Sequence, residues 1–139
     1  MDFVDTYLSE LEKSVRELSR DDMRKVCDAL MLAWREERTI FILGNGGSAA
    51  TASHMMNDLN KLTITPGKKR FRAIALTDNM PLVTAWGNDT SFDVCFSEPL
   101  RNLMRPGDYV IAISTSGNSP NLLKGVEAAH EIGGTVIAL

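Results

Sequence analysis

Cysteine is scarce in this chain, with two residues, Cys27 and Cys95, in 139. Two thiols so far apart make no disulfide framework and lack metal-ligand spacing. A basic excess is also missing. Fifteen Lys and Arg stand against 18 Asp and Glu, for a net charge of −3. The densest basic group is Lys68-Lys69-Arg70-x-Arg72. Binding to nucleic acid, which rests on many phosphate contacts, is therefore not expected. No apolar run approaches the ~20 residues that a membrane helix requires. The opening MDFVDTYLSE is acidic and has no charged-then-apolar leader, so no secretion signal is expected. These absences point to a cytoplasmic protein without membrane or direct nucleic-acid partners. What is present suits one globular domain: 44% hydrophobic and 24% charged residues, in a length typical of a single domain.

Two periods divide the chain. Val4, Leu8, Leu11, Val15 and Leu18 recur at alternating steps of four and three, a heptad seam on a first helix. Ser19-Arg20-Asp21 interrupts it and caps a second helix, whose apolar face carries Met23, Val26, Cys27, Leu30, Met31 and Trp34. From Thr39 the period changes. Residues 39–43, 72–76, 109–113 and 135–139 are short apolar runs of the kind found in strands buried on both faces. Between them lie a helix from Ser48 to about Leu62, a short helix around Pro81 to Trp86 leading to a Gly87-Asn88-Asp89-Thr90 loop, a helix from Phe92 to Met104, and a helix starting at Pro120 with Ser119 as its cap. Alternating strands and helices predict an α/β fold. A central parallel sheet lies between helical layers, preceded by two N-terminal helices. The helical part covers residues 1–37 and the α/β part 38–139 of a single domain. The last strand runs to the C-terminus without a covering element. This suggests that the α/β part is incomplete there; the alternative is a sheet that simply ends.

Two loops follow strands and open helices. Gly44-Asn45-Gly46-Gly47-Ser48 lies where ligands bind in parallel sheets, beyond the carboxyl ends of the strands. Its glycines allow close backbone approach, and the next helix offers free N–H groups. Gly44-x-Gly46-x-x-Ala49 formally fits a dinucleotide fingerprint, but the acidic residue expected about 20 positions on is absent. No nucleotide cofactor is expected. On its own, this loop is equally well explained as a plain turn. The second loop, Ser114-Thr115-Ser116-Gly117-Asn118-Ser119, gathers four hydroxyls at a helix start. That is an uncharged cradle for a phosphate, and without Gly-Lys-Ser/Thr it suits a monophosphate better than a triphosphate. One cap accounts for Ser119 but not for Ser114, Thr115 and Ser116 together.

The pairing of LGNGGSAATASH with AISTSGNSPN resembles the sugar-isomerase (SIS) domain. Within it the chain resembles the phosphoheptose isomerase group, and the likeness runs from the N-terminal helices to Leu139. The resemblance implies an aldose–ketose isomerase acting between sedoheptulose 7-phosphate and a heptose 7-phosphate through an enediol. It implies a phosphate held by Ser114, Thr115, Ser116 and Ser119. Sugar contacts are implied from Asn45, Gly46, Gly47, Ser48, Asn88 and Asp89. A homotetramer is also implied, with the N-terminal helices in its central bundle. His54 and Asp58, four apart on one helix, match a histidine and a carboxylate that act on the sugar and in some members bind zinc. The usual glutamate base is Asp58 here, and the acidic residue before it is Asn57. A second catalytic histidine lies in the family on a later helix that this sequence does not contain. The expectation for these 139 residues alone is weak sugar-phosphate binding, no tight zinc and no turnover. The alternative function is non-catalytic: sensing phosphosugars, or associating with a replication initiator protein. Without the resemblance, His54 and Asp58 read as a solvated helical pair. Cys27 reads as core and Trp34 and Trp86 as packing residues. His130 suits a helix C-terminus, and Lys68 to Arg72 a solvated edge.

Overall fold

The computed structural model describes residues 2–139. Contacts divide them into two compact units, one up to Leu30 and one spanning Met31–Leu139. The first unit contains α1 (Phe3–Glu17) and the opening of α2 (Arg20–Arg35). Asp2 caps α1 by accepting from Asp5 N at 2.9 Å, and Ser19 accepts from Asp22 N at 3.2 Å at the start of α2. The predicted seam is present, but no residue of α1 is buried, and Leu8 and Leu11 are 55% and 48% exposed. Cys27 is exposed as well. The expectation that it sits in the core is corrected: the apolar face it shares with Met23 is itself exposed at that point, Met23 to 55%.

In the second unit, β1 (Thr39–Gly44), β2 (Arg72–Ala75), β3 (Tyr109–Ile113) and β4 (Thr135–Ala138) form one parallel sheet in the order β2-β1-β3-β4. The connecting helices are α3 (Gly47–Asn57), α4 (Met80–Asp89), α5 (Ser97–Leu103) and α6 (Pro120–Ile132). The chain moves outward from β1 to β2, then back across β1 to β3 and on to β4. Right-handed crossovers therefore put α3 on one face and α4, α5 and α6 on the other. The packing agrees. Phe41, Leu43, Val110 and Ala112 share a core cluster with Leu100 of α5, Leu122 and Ala129 of α6, and Val83 and Trp86 of α4. On the opposite face, register aligns Ile42, Ile111 and Ile137, all buried. Each such side chain withdrawn from water contributes about 1.5–3 kcal/mol. This is the expected α/β layering, with two further helices before it.

Three boundaries differ from the expectation. The helix expected to reach Leu62 is α-helical only to Asn57 and continues as a π turn, Asp58–Leu62. Residues 92–104 are two pieces, a 3-10 turn at Phe92–Val94 and then α5, with Pro99 inside the first turns of α5. A proline lacks the N–H that a continuous helix would need further in. The helix expected to stop at Trp86 runs on through Asp89, so Asn88 and Asp89 belong to its last turn rather than to a loop.

Polar residues fasten the sheet at the starts of its strands and along the β2 edge. Buried Asp108 accepts from Thr39 N and Arg105 N, both at 2.9 Å, and its carbonyl accepts from Thr135 N. It thereby ties the starts of β1, β3 and β4 together. Asn60, in the π turn, donates to Ala73 O at 2.8 Å and accepts from Ala73 N at 3.0 Å on the outer side of β2. Trp34 donates Nε1 to Lys69 O at 2.9 Å and lies 6.5 Å from the Phe71 ring, a packing role as expected.

Candidate functional site

The sheet order reverses direction between β1 and β3, which are neighbours aligned to their last residues, Gly44 opposite Ile113. In a parallel sheet the loops on either side of such a switch point diverge onto opposite faces and leave a crevice between them. The two loops singled out by the sequence are the ones that leave β1 and β3.

In the first, Gly44 is fixed by contact. A Cβ there would lie 2.5 Å from Ser48 O and 2.6 Å from Ser48 C. Gly46 is fixed by conformation, with φ of +54°. Gly47 has neither constraint, and a Cβ there would meet nothing within 4 Å. Asn45 O accepts from Ser48 N at 2.9 Å, closing the turn, and no side chain caps α3. Ala49 N and Ala50 N also bond backbone carbonyls, to Gly46 O at 3.1 and 3.2 Å, which leaves the N–H of Gly47 as the unpaired one in the first turn of α3 among the described residues.

In the second loop, Ser114 Oγ accepts from Gly117 N at 3.1 Å and Ser116 Oγ from Asn118 N at 3.3 Å. Gly117 turns the chain with φ of +67°. Both serines use their oxygen lone pairs inside the loop and keep their O–H hydrogens to donate outward. Ser119 stands at the N-cap of α6, but its side chain makes no capping bond. The expected hydroxyl cap is replaced by backbone: Ser119 O accepts from Leu122 N and Leu123 N at 3.0 Å. The Ser119 hydroxyl is therefore not used in capping α6. Thr115 and Ser116 are exposed. The prediction that follows is direct. A Ser116→Ala/Ser119→Ala chain should lose at least about tenfold in affinity for a sugar phosphate by calorimetry, since each lost hydrogen bond to a charged group is worth about 1.5–3 kcal/mol. Unchanged affinity would place the phosphate elsewhere.

The loops are joined directly. Asn45 Nδ2 donates to Asn121 Oδ1 at 2.9 Å, and Asn121 Nδ2 donates back to Asn45 Oδ1 at 2.8 Å. Asn121, in the first turn of α6, is 2% exposed. A third cluster marks the end of β2. Ser53 of α3 donates to Asp78 Oδ1 and lies 3.4 Å from Thr77 Oγ1. Asn121, Ser53 and Thr77 carry no signature in the sequence beyond being small polar residues next to strand ends or helix starts.

His54 and Asp58 meet as their spacing predicts, Nε2 to Oδ2 at 3.3 Å, with side chains 77% and 41% exposed. Asn57 Nδ2 lies 3.4 Å from the other carboxylate oxygen. The pair sits at the junction between α3 and the π turn, in a groove that Met55, Leu59 and Leu62 also line. Single π turns often mark functional positions in helices. His54 lies two turns beyond Gly47, about 10 Å at 1.5 Å per residue, and Asp58 three turns beyond it, about 16 Å. Among the described residues no side-chain hydrogen bond links it to either loop. The same holds for Asn88 and Asp89, which bond each other at 2.8 Å at the exposed end of α4.

His54 and Asp58 supply two zinc donors, whereas a zinc ion takes three or four from protein. No group of three or more His, Cys, Asp or Glu is arranged for a metal among the described residues. The donor set of this chain alone does not fit zinc. Cys95 is buried, and burial pushes its thiol pKa up, so it stays a neutral thiol rather than a nucleophile. No helix among the described residues is long and apolar enough to cross a membrane.

The SIS domain family matches residues 3–139. A probable phosphoheptose isomerase of Thermoplasma volcanium is 37% identical over 139 residues, covering all of this chain and 70% of that protein. The solved phosphoheptose isomerase of Neisseria gonorrhoeae superposes with a TM-score of 0.83 at 32% identity, covering 99% of this chain and 74% of that one. That of Francisella tularensis gives 0.86 at 28% identity, with coverages of 100% and 75%. With the switch-point loops, the sheet order and these likenesses in agreement, the chain belongs to the SIS domain family, among the phosphoheptose isomerases.

Proposed function

We propose that the protein interconverts a ketose and an aldose phosphate, sedoheptulose 7-phosphate and a heptose 7-phosphate, through an enediol. The observation that carries this reading is the crevice at the β1/β3 switch point. One wall holds spare hydroxyls and a helix start suited to a phosphate, the other a glycine loop open to a sugar, and an amide pair fixes the two walls together. Ser114, Thr115, Ser116 and Ser119 take the phosphate. Asn45, Gly46, Gly47 and Ser48 take sugar hydroxyls, as do Asn88 and Asp89. Asp58 removes the proton from the carbon beside the carbonyl and returns it to the neighbouring carbon, so no oxidant or reductant is consumed. His54, 3.3 Å away, orients the carboxylate and supplies a proton to the enediol oxygens.

Turnover of sedoheptulose 7-phosphate by the product of the complete reading frame tests this. Tight binding without turnover would instead support a phosphosugar-binding, regulatory role, and neither binding nor turnover would sink the reading.

The assembly belongs to the same proposal. The apolar seam of α1 is exposed along its whole length, a stripe that heptad spacing suits to packing between helices of separate copies. A homotetramer built on these helices is the expected form, in the cytoplasm. Leu8→Lys/Leu11→Lys should convert it to smaller species in light scattering, and a wild-type monomer at micromolar concentration would contradict it.

A further inference from the structure

We propose that Asn121 is a positioning residue that locks the sugar-side loop to the phosphate-side helix, so that the two half-sites bind one ligand as a unit. The inference deepens the sugar-phosphate reading and rests on it. Asn121 is not a cap that happens to be buried, because every hydrogen-bonding position of its amide is used. Its Oδ1 accepts from Leu122 N at 3.0 Å and from Asn45 Nδ2 at 2.9 Å. Its Nδ2 donates to Asn45 Oδ1 at 2.8 Å and approaches Cys95 Sγ at 3.5 Å. One amide thus connects three segments: the loop after β1, the start of α6, and the residue just after the 3-10 turn at Phe92–Val94. Asn45 and Asn121 are 76 positions apart in sequence, yet they exchange two hydrogen bonds in a ring that only a side chain with a donor and an acceptor side by side can close. The ring leaves Asn45 one orientation, and with it the orientation of the Gly46-Gly47 backbone that follows. Asn121 itself is enclosed and touches no ligand directly, so it acts through Asn45.

The donor–acceptor requirement gives the test. In Asn121→Asp the ionised carboxylate has no hydrogen to return to Asn45 Oδ1, and the ring opens. The protonated carboxyl restores both bonds, its O–H donating to Asn45 and its C=O accepting from Asn45 and Leu122. The Cys95 thiol lies beside Asn121; the other titratable groups on the elements packed around it are the Asp93–Lys124 pair joining the 3-10 turn to α6 and, farther along, Glu127, His130 and the Glu98–Arg101–Glu131 set on α5 and α6. The Gly44–Ser48 loop has none. Burial raises a carboxyl above its usual value of about 3.9, so recovery is expected as pH falls through the mildly acid range. The wild type, measured in parallel, accounts for ionisation of these neighbours and of the ligand phosphate.

The experiment is calorimetry with sedoheptulose 7-phosphate and with inorganic phosphate, from pH 8 to pH 5. At pH 8, Asn121→Asp should bind the sugar phosphate roughly 10- to 100-fold more weakly than wild type. Inorganic phosphate, which needs only one wall, should bind almost as before. The sugar-phosphate loss should shrink towards pH 5. A loss that is the same for both ligands, or that does not change with pH, would overturn the inference. If the carboxylate unfolds the chain at pH 8, Asn121→Ser takes its place; it is neutral but too short to close the ring, and should lose the preference for sugar phosphate while keeping its fold. Retained preference in that variant would also overturn the inference. A wild type that binds neither ligand would instead refute the functional reading beneath it.

Discussion

Asp58→Asn should lower kcat on sedoheptulose 7-phosphate by about 10²–10⁴-fold, the range for removing a general base, and leave affinity for inorganic phosphate unchanged. The separation follows from the structure. Asp58 stands at the junction of α3 and its π turn, about three helical turns from the glycine loop, and among the described residues makes no side-chain bond to the Ser114–Ser119 loop. An amide keeps the size of the carboxylate and can still meet His54, so the fold should not suffer. Steady-state kinetics on the product of the complete reading frame, beside phosphate calorimetry, reads both quantities. Full activity in this variant would show that another group takes the proton. Loss of phosphate binding would show that Asp58 shapes the anion site as well. His54→Ala should fall in the same direction with a smaller drop, because the proposed mechanism has His54 act on the carboxylate and on the enediol oxygens rather than on the carbon.

The glycine loop offers the largest stability effect. Gly44→Ala places a methyl 2.5 Å from a backbone oxygen that belongs to the first turn of α3. Backbone cannot swing aside as a side-chain tip can, so either the strand end or the helix start must move. The cost should reach about 2–3 kcal/mol, in the upper part of the range for overpacked sites. Gly46→Ala meets no neighbour but strains a backbone at φ +54° and ψ −121°, outside the left-handed helical region, which costs about 1–3 kcal/mol. Gly47→Ala meets open space and should be close to neutral in stability, yet it should weaken sugar phosphate binding by filling the crevice. Urea denaturation of the three variants checks the order, and equal midpoints for Gly44→Ala and Gly47→Ala would refute the steric argument.

Much of this was legible in the sequence because it follows local rules. Buried parallel strands read as continuous apolar runs, and all four fall within one residue of their expected limits at both ends; β2 stops one residue early because Leu76 opens a 3-10 turn. The two loops announce themselves through glycine and hydroxyl density at strand ends, and His54 with Asp58 through spacing alone. Other features depend on partners far away in sequence. Asn121 looks like any polar residue at a helix start until Asn45 is brought beside it. The π turn adds one residue to a helical repeat that hydrophobic spacing over five residues cannot resolve. Asn88 and Asp89 follow a glycine, which suggests a loop, but Gly87 is accommodated inside α4. Cys27 shares a helix face with apolar residues, and periodicity says which face it occupies, not whether anything covers that face.

The amide of Asn60 bears on how copies of this chain can meet. An unpaired strand edge is a template on which another chain can add a strand, the route to open-ended aggregates. On the outer side of β2 the N–H and C=O of Ala73 are already taken by Asn60, at 3.0 and 2.8 Å, in the way a neighbouring strand would take them. β2 has four residues, so one occupied position near its start leaves too short a run for a stranger to zip onto. A side chain from a helix thus ends the sheet on this side as a knot ends a thread. Growth by added strands is blocked there, and association is left to surfaces whose shape limits the number of partners.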